Sequence, residues 1–330
     1  MRLVVTGGLG FIGSAFIRFQ VAQHPDLEIV NVDNVSCGAN FANLPNEMTR
    51  NQYQFMKGDI VDHEVVAKSL RAADAVVNFA AESHVDRSIS NPSAFFGTNL
   101  TGTVTLLEEI RKAKSDIRMV QISTDEVYGD VRTGMSREGD PVHPSSPYAA
   151  SKVAADLACL AYVKTYGLKI AITRSCNNFG PNQFPEKFIP KVIIRALRGM
   201  PIPIYGDGNQ QRDWIYVEDN VAAIDSVLTN GIEGQIYNVS AGESHTNLQV
   251  ATKILSTLRK SHDLLTHARD RPGHDTRYQM DSTKIRRELG WSPKHEYARS
   301  LTRTIRWYQN NPWWWEPVAT PSVLSESPWE

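Results

Sequence analysis

Three observations predict an α/β fold built around a doubly wound parallel sheet. Short apolar runs alternate with helical stretches through the first half of the 330-residue chain, the pattern of strands joined by helical crossovers. A glycine-rich loop joins the first run to the first helix. An acidic residue closes the second run. The composition agrees, since 41% hydrophobic and 22% charged residues suffice for a buried core under a polar surface.

Leu3-Val4-Val5 is a short buried strand. Thr6-Gly7-Gly8-Leu9-Gly10-Phe11-Ile12-Gly13 follows it, and then a helix with apolar positions at Ile12, Phe16, Ile17 and Val21. A strand, a glycine loop and a helix in this order make a dinucleotide site. Gly7 permits the tight turn, Gly10 lets the backbone approach a pyrophosphate, and Gly13 lets the helix pack close to the strand. The helix start at Phe11 and Ile12 offers free N–H groups and a positive dipole end. The spacing is G-x-x-G-x-x-G rather than G-x-G-x-x-G, so the flanking strand and helix carry the signal. The second strand, Glu28–Val32, ends at Asp33. A carboxylate there accepts hydrogen bonds from the adenosine ribose and repels a 2′-phosphate, which favours NAD over NADP. A plain strand-end turn residue is the alternative.

Residues 35–51 form a polar loop able to reach over the cofactor. The third strand, Tyr53–Lys57, leads to Asp59 and Ile60, a polar and an apolar contact for adenine. After a helix over about 62–70 comes the fourth strand, which ends at Phe79. Ala80 and Ala81 beyond it leave room for the cofactor, and Ser83 and His84 point toward a substrate. A helix over 92–114 precedes the fifth strand, which runs into Ser123-Thr124-Asp125-Glu126. Adjacent carboxylates past a strand end suit acid/base work, although a solvated loop carries the same residue types. Pro147 opens a helix running to Tyr166 that sets Tyr148 and Lys152 on one face. An ammonium beside a phenol favours the phenolate. The tyrosine can then take a hydroxyl proton as hydride leaves the same carbon. Y-x-x-x-K is common on surfaces, and only its combination with the glycine loop and Ser123-Thr124 is specific.

After a sixth strand, Lys169–Arg174, prolines at 181, 185, 190, 201 and 203 break the alternation. The predicted division is a nucleotide-binding domain over 1–174, with a return segment near 213–240, and a smaller interleaved substrate-binding domain over 175–318. Asn247–Leu258 and Leu301–Tyr308 read as amphipathic helices. Trp313-Trp314-Trp315 reads as packing for the last helix, and the polar residues 319–330 as a flexible tail. The net charge of −1 gives no footprint for nucleic acid. No apolar run is long enough to span a membrane, and the N-terminus lacks a signal-peptide pattern. Cys37, Cys159 and Cys176 have no metal-type spacing and read as reduced thiols of a cytoplasmic protein. No metal is expected.

These motifs resemble those of the extended short-chain dehydrogenase/reductases, whose nucleotide domain is of Rossmann type, and among them the nucleotide-sugar 4,6-dehydratases. The resemblance runs to about residue 317. It includes the loop at 6–13, the run from Phe79 to Ser88, Ser123 to Gly129, Asn177-Asn178-Phe179-Gly180-Pro181 and Phe184-Pro185-Glu186-Lys187. It continues through Tyr205-Gly206-Asp207-Gly208, Arg212-Asp213-Trp214 and Asp270 to Asp275. It implies NAD as cofactor, dTDP-glucose as substrate, and loss of water between C5 and C6 while hydride moves from C4 to C6. Asp125 would be the acid and Glu126 the base, beside Thr124, Tyr148 and Lys152. It adds Asn34, Ser36, Thr98 and Asn178 to the cofactor contacts. Substrate contacts would be Ser83, His84, Thr124, Asn177, Lys187, Phe188, Pro203, Tyr205, Arg212, Asn247, Arg271 and His274. For Arg212 and Arg271 a surface ion pair is the alternative. The family also implies a homodimer through a four-helix bundle, to which Leu100, Val104, Leu107, Leu157, Leu160 and Ala161 could contribute; burial against the chain's own sheet is the alternative.

Three departures stand out. Leu9 replaces a small residue in the glycine loop and would tighten the cofactor pocket or point outward. Ser175-Cys176 reverses the usual order, and Thr276 replaces a basic residue. Two other functions remain on the same scaffold, a sugar-nucleotide epimerase or decarboxylase, and a non-catalytic NAD-binding sensor. The acidic pair argues against the first, and intact Thr124, Tyr148 and Lys152 against the second.

Overall fold

The computed structural model describes residues 1–47, 50–113 and 116–326. Its first six strands are β1 (Arg2–Thr6), β2 (Glu28–Asp33), β3 (Tyr53–Lys57), β4 (Ala75–Asn78), β5 (Arg118–Thr124) and β6 (Lys169–Ser175). Then come β7 (Asn177–Phe179), β8 (Ile202–Tyr205), β9 (Gln211–Tyr216), β10 (Ile236–Val239), β11 (Ser244–Thr246) and β12 (Leu265–Ala268). Seven of them form one sheet in the order β10-β6-β5-β4-β1-β2-β3. Every pairing in it is parallel. The chain order reverses between β1 and β4, so a crevice opens at the carboxyl ends of these strands.

Local chemistry accounts for the strands. Val4, Val5, Ile29, Val30, Val76, Val77, Met119 and Val120 are buried, on both faces of the sheet. Strands covered by helices on both sides read as nearly continuous apolar runs. Polar side chains near the carboxyl ends satisfy one another instead. Thr6 Oγ1 donates to Asn78 Oδ1 at 2.6 Å, and Asn78 Nδ2 donates to Gln121 Oε1 at 2.8 Å. Such a buried chain fixes strand register only when its members are paired.

The helix Pro147–Tyr166 has a clear start and stop. The Ser146 side chain accepts from the Ala149 N–H, Pro147 occupies the first turn, and Gly167 closes the helix in a left-handed conformation. The stretch expected as one helix over 92–114 is instead α-helical at Pro92–Phe95 and Thr103–Ala113, with a π-helical insert at Phe96–Gly102; residue 114 lies outside the described residues. Such inserts often mark functional positions. Here the insert carries Thr98 and Asn99.

A second lobe has its own apolar core, built from Phe179, Ile189, Ile193, Ile204, Trp214, Ile254, Ile305 and Tyr308. It holds the small sheets β11-β9-β7 and β12-β8. Between its segments the chain returns to the large sheet through the helix Val217–Asn230 and the edge strand β10. Leu9 points into the core of the nucleotide lobe rather than into the crevice. The tail departs from expectation too. Ala319 and Leu324 are buried in the second lobe. The cause is backbone chemistry, for the Ala319 carbonyl accepts from Arg198 and the Leu324 carbonyl from Arg195. Residues 327–330 lie outside the described residues. No described helix is long and apolar enough to cross a membrane.

One buried ion pair ties the helix Pro147–Tyr166 to the sheet. Arg174 Nε on β6 meets Asp156 Oδ2 at 3.0 Å, with side-chain exposures of 4% and 0%. Ser123 Oγ on β5 donates to the same oxygen at 3.0 Å. Removing one partner of a buried pair strands the other charge, which costs more than the pair is worth in place. Asp156→Ala is therefore expected to lower unfolding free energy by about 3–5 kcal/mol, measured by urea denaturation.

Candidate active site

The glycine loop lies against the end of β4 without room for a side chain. Gly7 has φ +69°, and a Cβ added there would lie 2.7 Å from the Ala80 nitrogen. One added at Gly13 would lie 2.4 Å from the Gly7 carbonyl oxygen. These contacts hold the loop backbone at the floor of a crevice. The lining includes Gly7, Gly10, Phe11, Ile12, Gly13, Asp33, Asn34, Ser36, Asp59 and Ile60. It continues with Phe79, Ala80, Ala81, Ser83, Thr98, Thr124, Asp125, Glu126, Tyr148, Lys152, Asn177, Asn178 and Lys187. Residues distant in sequence thus share one cavity. Asp33 is held ready at its rim: its oxygens accept from the N–H groups of Leu9 at 3.0 Å and Val35 at 2.8 Å. Asn34 Nδ2 donates to Asp59 Oδ2 at 2.8 Å, joining two more residues of the same rim.

The acidic pair sits where β5 ends. Thr124 Oγ1 donates to Asp125 Oδ1 at 3.1 Å and accepts from the Glu126 N–H at 3.3 Å. Asp125 Oδ2 and Glu126 Oε2 are buried with no hydrogen-bond partner among the described residues. Burial pushes the Asp125 carboxyl well above the usual range, and the charges of Glu126 and Asp213 push the same way. Burial also raises Glu126, but three cations, Arg271, Arg212 and Lys187, oppose it. Both carboxyls are thus raised by burial, Asp125 the further, because carboxylate charges add to burial at Asp125 while cations offset it at Glu126.

Tyr148 and Lys152 come to the same place, but their coupling differs from the simple expectation. Burial pushes the Tyr148 phenol up, the Glu126 charge adds to this, and a hydrogen bond with Thr124 opposes it. Burial lowers Lys152, against the raising influence of Asp156. The ammonium donates to the Ile122 carbonyl at 2.6 Å. Its charge is directed at the strand end, so burial dominates at the phenol.

The remaining predicted residues, His84, Phe188, Pro203, Tyr205, Arg212, Asn247, Arg271 and His274, are not part of that lining. His84 is buried behind it, and desolvation lowers its pKa to about 4, leaving a neutral imidazole. Tyr205 and Arg271 converge on Asp86, at 3.1 Å and 2.8 Å. His274 Nδ1 lies 2.6 Å from Asp270 Oδ1, and burial lowers its pKa to about 4. Phe188 stacks on Trp214 with ring centres 6.4 Å apart. Arg212 packs over the Tyr278 ring at 4.3 Å and donates to the Asp275 carbonyl at 3.0 Å. Pro203 lies within β8, and Asn247 opens the helix Asn247–Leu258. Neither Arg212 nor Arg271 is a surface ion pair; Arg212 is buried and Arg271 is paired with buried Asp86. Lys187 Nζ reaches across to the Ser83 carbonyl at 2.5 Å.

Sequence reasoning missed several supporting residues. Asn99 is buried in the π-helical insert, where it bridges the Glu82 backbone and the Ser151 hydroxyl. Asp156 lies one turn beyond Lys152, a spacing that was legible. Glu186 and Asp213 stood inside quoted motifs without an assigned role. Glu186 lies against Arg87 at 3.4 Å, and Asp213 accepts from Ser240 and from the Glu243 N–H.

Comparison with known proteins gives this geometry a family. The model of the GDP-mannose 4,6 dehydratase family matches residues 4–304. A dTDP-glucose 4,6-dehydratase of Streptomyces niveus is 42% identical over 99% of this chain and 98% of its own. The chain belongs to the nucleotide-sugar 4,6-dehydratases. Another member-like relative, the low-salt glycan biosynthesis protein Agl12 of Haloferax volcanii, is 46% identical over 93% of this chain and 98% of its own. Among solved structures, a dTDP-glucose 4,6-dehydratase of Streptomyces venezuelae with NAD and dTDP bound superposes with a TM-score of 0.94. It is 45% identical, and the match covers 96% of this chain and 100% of the other. The large parallel sheet with its flanking helices matches the fold of dTDP-glucose 4,6-dehydratase structures.

The carboxyl pair makes stability depend on pH in a defined direction. A carboxyl raised on folding holds its proton to higher pH in the folded state than in the unfolded one. Folding then loses stability as pH rises from the unfolded pKa, near 4, through the folded value. Asp125→Asn removes this loss. The variant is expected to melt above the wild type at pH 7, with the gap closing toward pH 4, in thermal melts across that range.

Proposed function

We propose that this chain is a dTDP-glucose 4,6-dehydratase that converts dTDP-glucose to dTDP-4-keto-6-deoxyglucose and water with bound NAD. The observation that carries the reading is the buried Asp125–Glu126 pair, with unequal charge surroundings, in one crevice with Tyr148. The crevice fits NAD. Gly10 lines it with no side chain to obstruct a pyrophosphate, and Asp33 lies at the rim to receive ribose hydroxyls. Gly7, Gly10, Phe11, Ile12, Gly13, Asp33, Asn34, Ser36, Asp59, Ile60, Phe79, Ala80, Ala81, Ser83, Thr98, Tyr148, Lys152 and Asn178 would hold it. When bound, it supplies a reversible store for one hydride.

The chain's own residues manage the protons. Tyr148 Oη, with Thr124 beside it, would take the proton of the sugar C4 hydroxyl as the phenolate, a form that burial in the protein alone opposes and that the positive charge of bound oxidised NAD would favour. A ketone at C4 acidifies the C5 hydrogen, because the resulting carbanion is delocalised as an enolate. Glu126, kept toward its charged form by Arg271, Arg212 and Lys187, takes that proton. Asp125, held toward its protonated form by burial and by the charges of Glu126 and Asp213, gives a proton to the C6 hydroxyl, which leaves as water. An epimerase has no need of this second acid and base. Ser83, His84, Asn177, Lys187, Phe188, Pro203, Tyr205, Arg212, Asn247, Arg271 and His274 would receive the nucleotide sugar. Guanidinium groups suit its diphosphate.

The same reading includes a cytoplasmic homodimer. The helices Thr103–Ala113 and Pro147–Tyr166 would form the interface with their counterparts. Leu157 is 54% exposed and Phe96 37%, Ala161 is exposed, and Leu100, Val104 and Leu160 are half-buried. Leu107 does not belong to that face, because it is wholly buried in the chain's own core.

With dTDP-glucose, the wild type is expected to yield the alkali-developed ultraviolet band of a 4-keto-6-deoxy sugar. An epimer, or no turnover, would contradict the reading. Glu126→Gln is expected to slow solvent-deuterium exchange at C5 by about 10²–10⁴-fold, read by mass spectrometry; unchanged exchange would remove Glu126 as the base. Leu157→Arg is expected to turn a dimer into a monomer in light scattering.

A further inference from the structure

Asn43 and Trp314 have no role in the reading above, yet both connect to the glycine loop. Trp314 Nε1 donates to Asn43 Oδ1 at 2.9 Å. Asn43 Nδ2 donates to the Leu9 carbonyl at 2.8 Å. Leu9 lies inside the loop between Gly7 and Gly10, and its N–H donates to Asp33 Oδ2 at 3.0 Å. All three bonds are buried. A side chain near the end of the chain is thereby linked, in three steps, to the carboxylate that would hold the adenosine ribose.

The relay acts on backbone direction. The carbonyl of residue 9 and the N–H of residue 10 belong to one planar peptide group and point opposite ways. Fixing the Leu9 carbonyl on the Asn43 side turns the Gly10 N–H inward, where it meets the Gly7 carbonyl at 3.1 Å. A second donor, the Asn40 N–H, reaches the Leu9 carbonyl at 3.0 Å. Arg18, on the helix after the loop, donates to the Asn43 carbonyl at 2.6 Å. Asn43 therefore gathers the loop, the following helix and the C-terminal segment.

The far end of the relay is firmly seated. The Trp314 ring packs against Trp307, with centres 5.0 Å apart, and Tyr308. Beyond it the Leu324 and Ala319 carbonyls accept from Arg195 and Arg198, and the Ser325 carbonyl accepts from Lys191. All three cations lie on or just after the helix Phe188–Leu197 of the second lobe. The tryptophan is an anchor in one lobe for a loop in the other.

We propose that Trp314 and Asn43 are positioning residues for the dinucleotide loop, holding the Leu9–Gly10 peptide in its cofactor-binding orientation from the second lobe. The inference rests on the reading of the crevice as an NAD site. Trp314→Phe keeps an aromatic ring but removes the donor, and Asn43→Ser breaks the relay at its centre. Trp315→Phe is the control. Its indole donates at 2.8 Å to the Tyr308 carbonyl within the second lobe, away from the loop.

The test measures NAD retained by purified, dialysed protein, the NAD dissociation constant of stripped protein, and amide hydrogen exchange at residues 7–13 without cofactor. Trp314→Phe and Asn43→Ser are expected to weaken NAD binding about tenfold and to speed exchange in the loop. Trp315→Phe is expected to lower the melting temperature similarly while leaving both readouts at wild-type values. Wild-type NAD affinity in both relay variants, or equal NAD loss in the control, would overturn the proposal. A wild type that binds no NAD would overturn the functional reading itself, and this inference with it.

Discussion

The structure depends on one close approach, that of the glycine loop to the end of β4. Two backbone segments meet there at a distance that excludes a side chain at Gly7, and the helix start at Gly13 lies as close to the Gly7 carbonyl. Buried hydrogen bonds from the Gly8 N–H to Asn31 Oδ1 and from the Leu9 N–H to Asp33 Oδ2 complete the fixing of the loop. The crevice follows from this contact. Were the loop displaced outward, the carboxyl ends of β1, β4 and β5 would no longer surround one space. Strand β5 would still end in two acidic residues, but they would face solvent rather than a cavity.

Burial in that cavity has a thermodynamic cost that chemistry uses. Carboxyls removed from water resist ionisation, and a neighbouring carboxylate strengthens the effect. At Asp125 a single cation, Arg212, opposes this in part. At Glu126 three cations do so. The asymmetry arises in the second lobe, since Arg212, Arg271 and Lys187 all come from segments beyond β6. The lobes are thus electrically interdependent. The sheet presents the acid pair, and cations of the smaller lobe offset the effect of burial more at Glu126 than at Asp125.

The buried polar groups around this pair also define its shape. Asp156 joins Arg174 and Ser123 beneath Lys152, and Asn99 joins Glu82 and Ser151 beside Tyr148. These bonds join segments distant along the chain, so the helix Pro147–Tyr166 has little freedom to shift against β5. The C-terminal segment extends the same logic. Trp314 and Trp315 fill the core of the second lobe, and Trp314 reaches back through Asn43 to the start of the chain.

Periodicity and spacing made the strand–glycine loop–helix unit, the acid at the end of β2, the Asp125–Glu126 pair and the Tyr148/Lys152 turn legible in the sequence. All of these are short-range patterns, set by backbone sterics and by the repeat lengths of strand and helix. Long-range partnership is not written in such patterns. Asn99 and Asp156 gain meaning only when their partners arrive, and Leu9 shows its inward direction only once the loop after β2 covers it. The polar composition of the tail suggested flexibility, because sequence does not reveal that Arg195 and Arg198 await its carbonyls. The sequence by itself determined which chemical groups the protein brings and on which elements they ride. Only the tertiary structure decided their protonation tendencies, because these depend on burial and on charges contributed by distant segments.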